Sequence, residues 1–454
     1  MRRVLVANRG EIARRVIRAC HEEGIEAVAV HSDVDADAPF VAEADSAVLI
    51  GPGPAAQSYL NVEAVLGAAR SSGADAVHPG YGFLSENAAF ARAVEDAGLT
   101  WIGPPADVVA AMGNKLAARR IMSEAGLPVA PGSDAALGDD GDAATTAAAI
   151  GYPVMVKASA GGGGIGMQRV DSPAALDAAV ATARQRAAAA FADGDVYLER
   201  FVEGPRHVEV QVLADGAGAT IHLGERECSV QRRHQKVIEE TPSCALTDAL
   251  RRRITAAAVL ASRSIGYINA GTVEFLVDAQ RNFYFLEMNT RLQVEHPITE
   301  MCTGIDIVRE QLRIAAGEPL RAAQGDVHAT GHAIEMRVYA EDPQRMLPSP
   351  GTITAYQEPS GDGVRVDSGV RAGTVVTHLY DPLLAKLVVH AADRDAAIDR
   401  ALAAVDAFVI EGVKTNLAVH RHVLTSPVFR SGDYTTGILD LLGPLPIATA
   451  MTPL

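Results

Sequence analysis

The sequence predicts a multidomain protein of mixed α/β and α+β class, on three observations. Up to residue 113, short apolar runs alternate with stretches of helical period. Between two apolar segments at 161–166 lies a loop with five glycines in six residues. Beyond residue 330, short strands punctuated by glycine and proline lead into two further helices. A chain of 454 residues also exceeds one ordinary domain.

In order along the chain, residues 4–7 form a short buried strand. Residues 12–23 carry Ile12, Val16, Ile17 and Cys20 at helical spacing. Strands follow at 27–31, 74–78 and 100–103, and such alternation implies a parallel, doubly wound sheet closing near Gly113. A second unit opens around Asn114. Residues 137–146, rich in Ala, Gly and Asp, read as a loop. Strands are expected at 152–157, 167–170, 196–201 and 207–213, with an Ala-rich helix over 174–190. Thr247 caps a helix whose stripe is Leu250, Ile254, Ala257, Ala261 and Ile265, ending at Gly266. The third unit has strands at 332–339 and 385–389 and helices at 394–408 and 416–424. The expected domains are therefore 1–113, 114–330 and 331–442, with a proline-bearing tail at 443–454.

Composition bounds the function. Forty Lys and Arg face 56 Asp and Glu, a net charge of −16. So acidic a surface argues against a nucleic-acid partner, and a small anionic substrate must be met by a few local cations. The four cysteines show neither C-x-x-C nor zinc spacing and read as reduced thiols of a cytoplasmic protein. No apolar run approaches the roughly 18 residues of a membrane helix.

The segment 271–295 carries the chemistry. Strands at 271–278 and 283–289 flank a polar turn, and pairing symmetric about it sets Glu274 opposite Glu287. Opposed carboxylates about 5 Å apart repel unless one is protonated or a cation is clamped between them. Asn289 shares the face of Glu287, and two carboxylates with an amide oxygen suit Mg²⁺ carrying phosphates. Two solvated glutamates would read alike, but Leu276, Phe283 and Phe285 surround them. If the chain stays extended, Arg291, Gln293 and Glu295 continue that face. They would hold a small planar oxyanion with a base beside it.

The loop GGGGIG at 161–166 formally matches a dinucleotide fingerprint, yet it joins two strands rather than a strand and a helix. It lacks the Lys-Ser/Thr of a P-loop, which leaves a glycine hairpin whose N–H groups can cover phosphates. Lys115 and Lys157 are sparse cations of this unit, and Lys157 follows an apolar strand that directs it at a ligand. Residues 225–240 gather Arg226, Arg232, Arg233, His234 and Lys236, the local cations that an anionic substrate requires. Cys228 among them reads as a small buried filler.

Several motifs together resemble the biotin carboxylases, over about residues 3–440: ANRGEI at 7–12, HPGYGFLSEN at 78–87, the glycine loop, QRRHQK at 231–236, and EMNTRLQVEHP at 287–297. RVYAED at 337–342, LPSPG at 347–351 and YDPLLAK at 380–386 also match. The resemblance implies a Rossmann-like pre-ATP-grasp domain, an ATP-grasp fold with a mobile glycine-loop lid (about 131–203), and a mixed C-terminal biotin carboxylase domain. It implies use of MgATP (or Mn²⁺) and bicarbonate to make carboxyphosphate and carboxylate biotin, the first half-reaction of acyl-CoA or pyruvate carboxylases. By position, Lys115, Lys157, Gly163, Gly164, Met167, Glu199, His207, Gln231, His234 and Leu276 would bind ATP. Glu274, Glu287 and Asn289 would hold magnesium. Lys236, Arg291, Gln293 and Val294 would grip bicarbonate beside the base Glu295. Arg337 would stabilise the biotin enolate, with Tyr81 in the biotin site. The implied partners are a biotin carboxyl carrier protein, a second copy of the chain and a carboxyltransferase subunit.

Two departures stand out. Many relatives carry a basic residue where the lid has Ile165. The chain also has no Ala/Val-Met-Lys-Met segment, so biotin is expected on a separate carrier protein or domain. Another ATP-grasp ligase would share the lid and metal pair but would not need Arg337 or the row 291/293/295. A catalytically silent ATP-binding protein should have lost the base, a metal ligand or Lys236, and all three are present.

Overall fold

The computed structural model describes residues 1–138, 142–160, 166–191 and 193–445. Gly163, Gly164 and Ile165 of the glycine loop lie outside the described residues, as does the tail beyond residue 445.

The first strands are β1 (Arg3–Val6), β2 (Glu26–Ser32), β3 (Ser46–Gly51), β4 (Ala76–His78) and β5 (Thr100–Trp101). They form a parallel sheet in the order β3-β2-β1-β4-β5. The order reverses between β1 and β4, and a crevice opens beyond the carboxyl ends of strands at such a point. There Asn8 Nδ2 donates to the carbonyls of Pro79 and Tyr81, both at 2.7 Å, and joins the loops after β1 and β4. Gly80 has φ +63°, and a Cβ on it would lie 2.9 Å from Asn8 Nδ2, so glycine is required there. The helix Gly10–Glu22 buries Ile12, Val16, Ile17 and Cys20 as its spacing predicts. β3, an edge strand not anticipated from the sequence, leaves Leu49 59% exposed, which explains its weak alternation.

Three antiparallel strands follow, β6 (Val154–Ala158), β7 (Gln168–Val170) and β8 (Val196–Arg200), in the order β7-β6-β8. The glycine loop connects β6 to β7, as expected. The loop expected at 137–146 is in part helix, because Asp142–Ile150 is helical and alanine is the best helix former.

The main strands continue as β9 (Arg206–Ala214), β10 (Thr220–Arg232), β11 (Gln235–Thr241), β12 (Asn269–Val277), β13 (Phe283–Asn289) and β14 (His332–Tyr339). Then come β15 (Gly351–Thr352), β16 (Ala355–Gln357), β17 (Val364–Ser368), β18 (Val375–Val376), β19 (Leu383–Ala391) and β20 (Val409–Glu411). An eight-stranded antiparallel sheet runs β13-β12-β9-β10-β11-β14-β19-β17, so it is continuous across residue 330. Alternation along its strands separates core from chemistry. Val208, Val210 and Val212 of β9 pack with Leu250 and Ile254 of the helix Asp248–Ser264, which Thr247 caps as predicted. The intervening His207, Glu209 and Gln211 are turned to the other face yet are equally buried. On β14, Ile334, Met336 and Val338 join the core against the helix Arg394–Ala407, leaving Glu335 and Arg337 on the opposite face.

Candidate active site

The hairpin β12–β13 sets Glu274 opposite Glu287 and Thr272 opposite Asn289. The symmetric pairing holds only to Glu274. Beyond it the register shifts by one, so that Phe275 faces Phe285 and Val277 faces Phe283. The shift lets Phe275 and Phe283 meet edge-to-face, 5.5 Å between ring centres, inside the core. It does not disturb the carboxylate pair.

Glu274 collects donors. Its Oε2 lies 2.8 Å from His207 Nε2, and its Oε1 accepts from Lys236 Nζ (2.9 Å), Asn289 Nδ2 (2.9 Å) and Gln293 Nε2 (3.0 Å). Burial disfavours its charge, but Lys236 and His207 outweigh burial and hold the carboxyl well below the usual range. Glu287 is more open and meets Lys115 Nζ at 3.3 Å. The Glu287 carboxylate raises the Lys115 pKa against the cost of burial. Both carboxylates and the Asn289 amide oxygen are hard donors on one side of the hairpin, which fits Mg²⁺ and not zinc.

The chain does not stay extended past Asn289. It turns, and Glu295 occupies the N-cap position of the helix His296–Thr303. The expected row of Arg291, Gln293 and Glu295 is therefore not a strand face, although the three still converge. Arg291 donates to Asn289 Oδ1 (2.8 Å), Gln293 Oε1 (2.9 Å) and, across the domain junction, Glu86 Oε2 (2.8 Å). Glu295 is fully buried. Lys236 Nζ reaches its Oε1 at 2.7 Å and Arg337 Nη2 its Oε2 at 2.9 Å. Burial alone would raise the Glu295 pKa, but Lys236, Arg337 and Arg226 hold it well below the carboxylate range. Val294 contributes a carbonyl that accepts from Lys386 Nζ at 3.0 Å.

Lys236 is the hub. Besides Glu274 and Glu295, its ammonium reaches Glu209 Oε2 at 2.5 Å. Burial disfavours that cation, but the carboxylates of Glu209, Glu274 and Glu295 keep its pKa well above that of an ordinary lysine. The segment 225–240 is not the single cation patch that composition suggests. Arg226 turns inward to Glu209 (2.5 Å), Gln211 and Thr299, and Arg232 pairs with Glu341 at 3.0 Å. Arg233 and His234 form a two-residue turn with φ of +50° and +67°. A hairpin turn with both central residues left-handed matches the strand twist and aims both side chains at the cavity. Cys228 is buried, as expected of a filler, and its Sγ lies 3.8 Å from Glu295 Oε1. Burial pushes the thiol well above its ordinary pKa, so it faces the base as a protonated group.

These groups surround a cavity of ≈ 1040 Å³ between the three strand systems. Lys157 enters from β6, ion-paired to Glu199, which also takes Arg119 at 3.1 Å. Met167, Leu276, Gln231 and His207 line the same end, with Gln231 Nε2 at 3.2 Å from His207 Nδ1. Burial and the neighbouring Lys157 lower the His234 pKa, so its ring is neutral. Tyr81 lines the opposite end, hydrogen-bonded to Glu11 and with Lys386 Nζ 5.9 Å from its ring centre.

Sequence reasoning missed several members. Glu209 orients Lys236, and the alternating polar residues 207, 209 and 211 were its signal. Glu239 holds Arg337 Nε at 2.6 Å, and Glu86 holds Arg291 from the loop that follows β4. Thr436, Leu439 and Asp440 from the C-terminal helix region close one wall, which no local pattern announces.

Known proteins share this organisation. Residues 1–109 match the family described as biotin carboxylase, N-terminal domain, and residues 335–441 match the biotin carboxylase C-terminal domain. Residues 114–323 match the ATP-binding domain of the carbamoyl-phosphate synthase L chain. The chain is 53% identical to biotin carboxylase 2 of Bacillus subtilis over 437 residues, 96% of this chain and 98% of that one. The chain belongs to the biotin carboxylase family. It is also 48% identical to the propionyl-CoA carboxylase alpha chain of Ruegeria pomeroyi, over 96% of this chain and 67% of that one. Among solved structures, the biotin carboxylase of Campylobacter jejuni superposes with TM-score 0.95 at 44% identity, covering 97% of this chain and 98% of that one. A second is the biotin carboxylase domain dimer of Hydrogenobacter thermophilus 2-oxoglutarate carboxylase, in complex with MgADP, ADP and bicarbonate. It has TM-score 0.94 at 47% identity and 97% coverage of both chains. The α/β, ATP-grasp and mixed C-terminal folds expected of the family are thus the folds of this chain. Among the described residues, no helix is long and apolar enough to cross a membrane.

Proposed function

We propose that the protein is an ATP-dependent ligase that carboxylates N1′ of carrier-borne biotin with bicarbonate, through carboxyphosphate. One observation carries this reading. Glu295 is a buried, ionised base held between Lys236 and Arg337, and Lys236 ties it to the hairpin of Glu274 and Glu287.

Glu274 and Glu287, with the Asn289 oxygen, would hold Mg²⁺, which supplies charge neutralisation on the nucleotide phosphates when bound. Lys115 and Lys157 stand beside them as further cations for the phosphates. His207, Gln231, His234, Met167 and Leu276 line the nucleotide end, where Gly163 and Gly164 of the lid would also act. Bicarbonate takes Lys236, Arg291, Gln293 and the Val294 backbone as partners. As Lys236 turns to the anion, Glu295 Oε1 is released to accept the bicarbonate proton. The bicarbonate oxygen then attacks the γ-phosphorus, the bond to the ADP oxygen breaks, and carboxyphosphate forms. Arg337 stabilises the enolate oxygen that develops on biotin as N1′ gives its proton to the phosphate group of carboxyphosphate and attacks the carboxyl carbon. The bond from that carbon to the phosphate oxygen breaks and releases inorganic phosphate. Tyr81, fixed by Glu11, borders the ureido ring. The domains are taken as 1–113, 114–330 and 331–442. The partners are a biotin carrier, a carboxyltransferase and a second copy of the chain, in the cytoplasm.

The test is ADP release from MgATP with free biotin, with and without bicarbonate. ADP formation that requires bicarbonate, rises with biotin and disappears in Glu295→Ala is the expected result. Bicarbonate-independent turnover would point to another ATP-grasp ligase. Measurable ATP binding without turnover, even with a biotinylated carrier, would indicate a catalytically silent protein.

A further inference from the structure

One ionisable group beside the site has no part in the reaction above. Glu335 lies on β14, two residues before Arg337, with no solvent exposure and, among the described residues, no hydrogen-bond partner for either carboxyl oxygen. The antiparallel register sets it directly opposite Glu239 of β11. Glu239 gives one oxygen to Arg337 Nε at 2.6 Å, and its other oxygen, Oε2, also lacks a partner. Directly opposed side chains start about 5 Å apart at Cβ, so two buried carboxyls with unpartnered oxygens face one another.

The surrounding charges are already committed. Arg337 spends its Nε on Glu239 and its Nη2 on Glu295. Lys386 of β19 donates to the Val294 carbonyl and pairs with Glu11 at 3.0 Å. On the helix that begins at His296, burial keeps His296 neutral, and Glu300 is taken by Arg15 and Arg365, both at 2.8 Å. Among the described residues no donor reaches either Glu335 oxygen, so a second negative charge there would go unmatched.

We propose that Glu335 and Glu239 share one proton as a carboxylic acid–carboxylate pair, and that this pair is a positioning device for Arg337 and, through it, for the base Glu295. With one proton the pair carries a single negative charge, which Arg337 matches while its other nitrogen reaches Glu295. Loss of the proton would add a charge on the β11 side, draw the guanidinium away from the biotin oxygen and repel Glu295. Burial, the largest effect, raises Glu239 to about 7 and Glu335 well above the carboxylate range, against the opposing pull of Arg337 and Lys386 respectively. Both groups hold protons better in the fold than in water, so the singly protonated pair forms as pH rises past about 7, where Glu239 gives up its proton, and is lost at the higher pH where Glu335 ionises. The kinetic consequence rests on the biotin carboxylase reading, whereas the shared proton does not.

The experiment pairs infrared spectra of the whole protein with the pH dependence of kcat/KM for free biotin. Wild type should show the carbonyl stretch of a protonated carboxyl above pH 7, and Glu335→Gln should remove it. The alkaline decline of kcat/KM should move up by at least one pH unit in the same variant. Glu335→Leu, which removes the carboxyl without needing hydrogen bonds, serves if the glutamine variant does not fold. A wild-type spectrum without a protonated carboxyl above pH 7 overturns the proposal whatever the variants do. A band that disappears while the alkaline decline stays in place overturns the positioning role. Wild type that shows the band but no biotin-dependent turnover would refute the enzymatic reading and leave the shared proton standing.

Discussion

Replacing Lys236 by methionine removes one charge that three buried carboxylates share, and the structure allows the cost to be worked out. The ammonium lies 2.5 Å from Glu209, 2.9 Å from Glu274 and 2.7 Å from Glu295. Each carboxylate keeps one other cationic partner: Arg226 for Glu209, His207 for Glu274 and Arg337 for Glu295. Breaking a buried pair from one side costs about 3–5 kcal/mol, and the remaining partners place this case near the lower end, about 3 kcal/mol at neutral pH. The cost depends on pH with a definite sign. In the wild type the Glu295 pKa is depressed, so its contribution is present above the ordinary carboxylate range and lost as pH falls through it. Without Lys236 the carboxylates bind protons more tightly, and each unit of upward shift removes about 1.4 kcal/mol at high pH. The stability deficit of Lys236→Met should therefore be larger at pH 8 than at pH 5, measured as urea midpoints for both proteins. Turnover should fall by about 10²–10³-fold, the scale for loss of one preorganised donor. A deficit below about 1 kcal/mol, or one equal at both pH values, would show that the three carboxylates do not depend on this ammonium.

Three further outcomes follow from other contacts. Glu240 accepts from His332 and Arg394, both at 2.7 Å, and from the Tyr434 hydroxyl. Burial works against its charge, yet these partners bring its pKa down from 4.5 to about 2. That shift corresponds to about 3 kcal/mol, so Glu240→Gln should lose about that much at pH 7 and approach wild type near pH 2, read by denaturant unfolding. Glu287→Gln should raise the Mg²⁺ concentration needed for half-maximal ADP release by at least about tenfold, since one hard anionic ligand becomes neutral. An unchanged Mg²⁺ requirement would remove Glu287 from the metal site. Ile165→Arg should change the ATP KM by less than about tenfold, because a single solvated ion pair is worth about 1 kcal/mol or less. A larger change would make this lid position the determinant of affinity.

The contrast between Glu287 and Glu209 explains what the sequence could and could not reveal. Glu274 and Glu287 belong to one hairpin, so strand periodicity and a short turn suffice to oppose them, even though the register slips immediately beyond. The row 291, 293 and 295 was right in its members and wrong in its geometry. A turn and a helix N-terminus bring those side chains together where an extended strand was expected. Glu209, Glu239 and Glu86 were not legible as site members, since each acts through a cation on another strand or on a loop distant in sequence. Such partners are chosen by tertiary register, which no local period encodes. The same reasoning explains why conspicuous charges misled: five basic residues close together in sequence are divided among β10, the turn at 233–234 and β11, so that Arg226 is committed to Glu209 in the interior while Lys236 also bridges the metal hairpin and the base. One cation that closes three carboxylates is a costly arrangement to bury, and its cost is intelligible only where the second partner of each carboxylate can take over as Lys236 swings to an incoming anion. The outer ring of Arg226, His207 and Arg337 is what makes that exchange possible, and it ties the mechanism to residues drawn from three different strands.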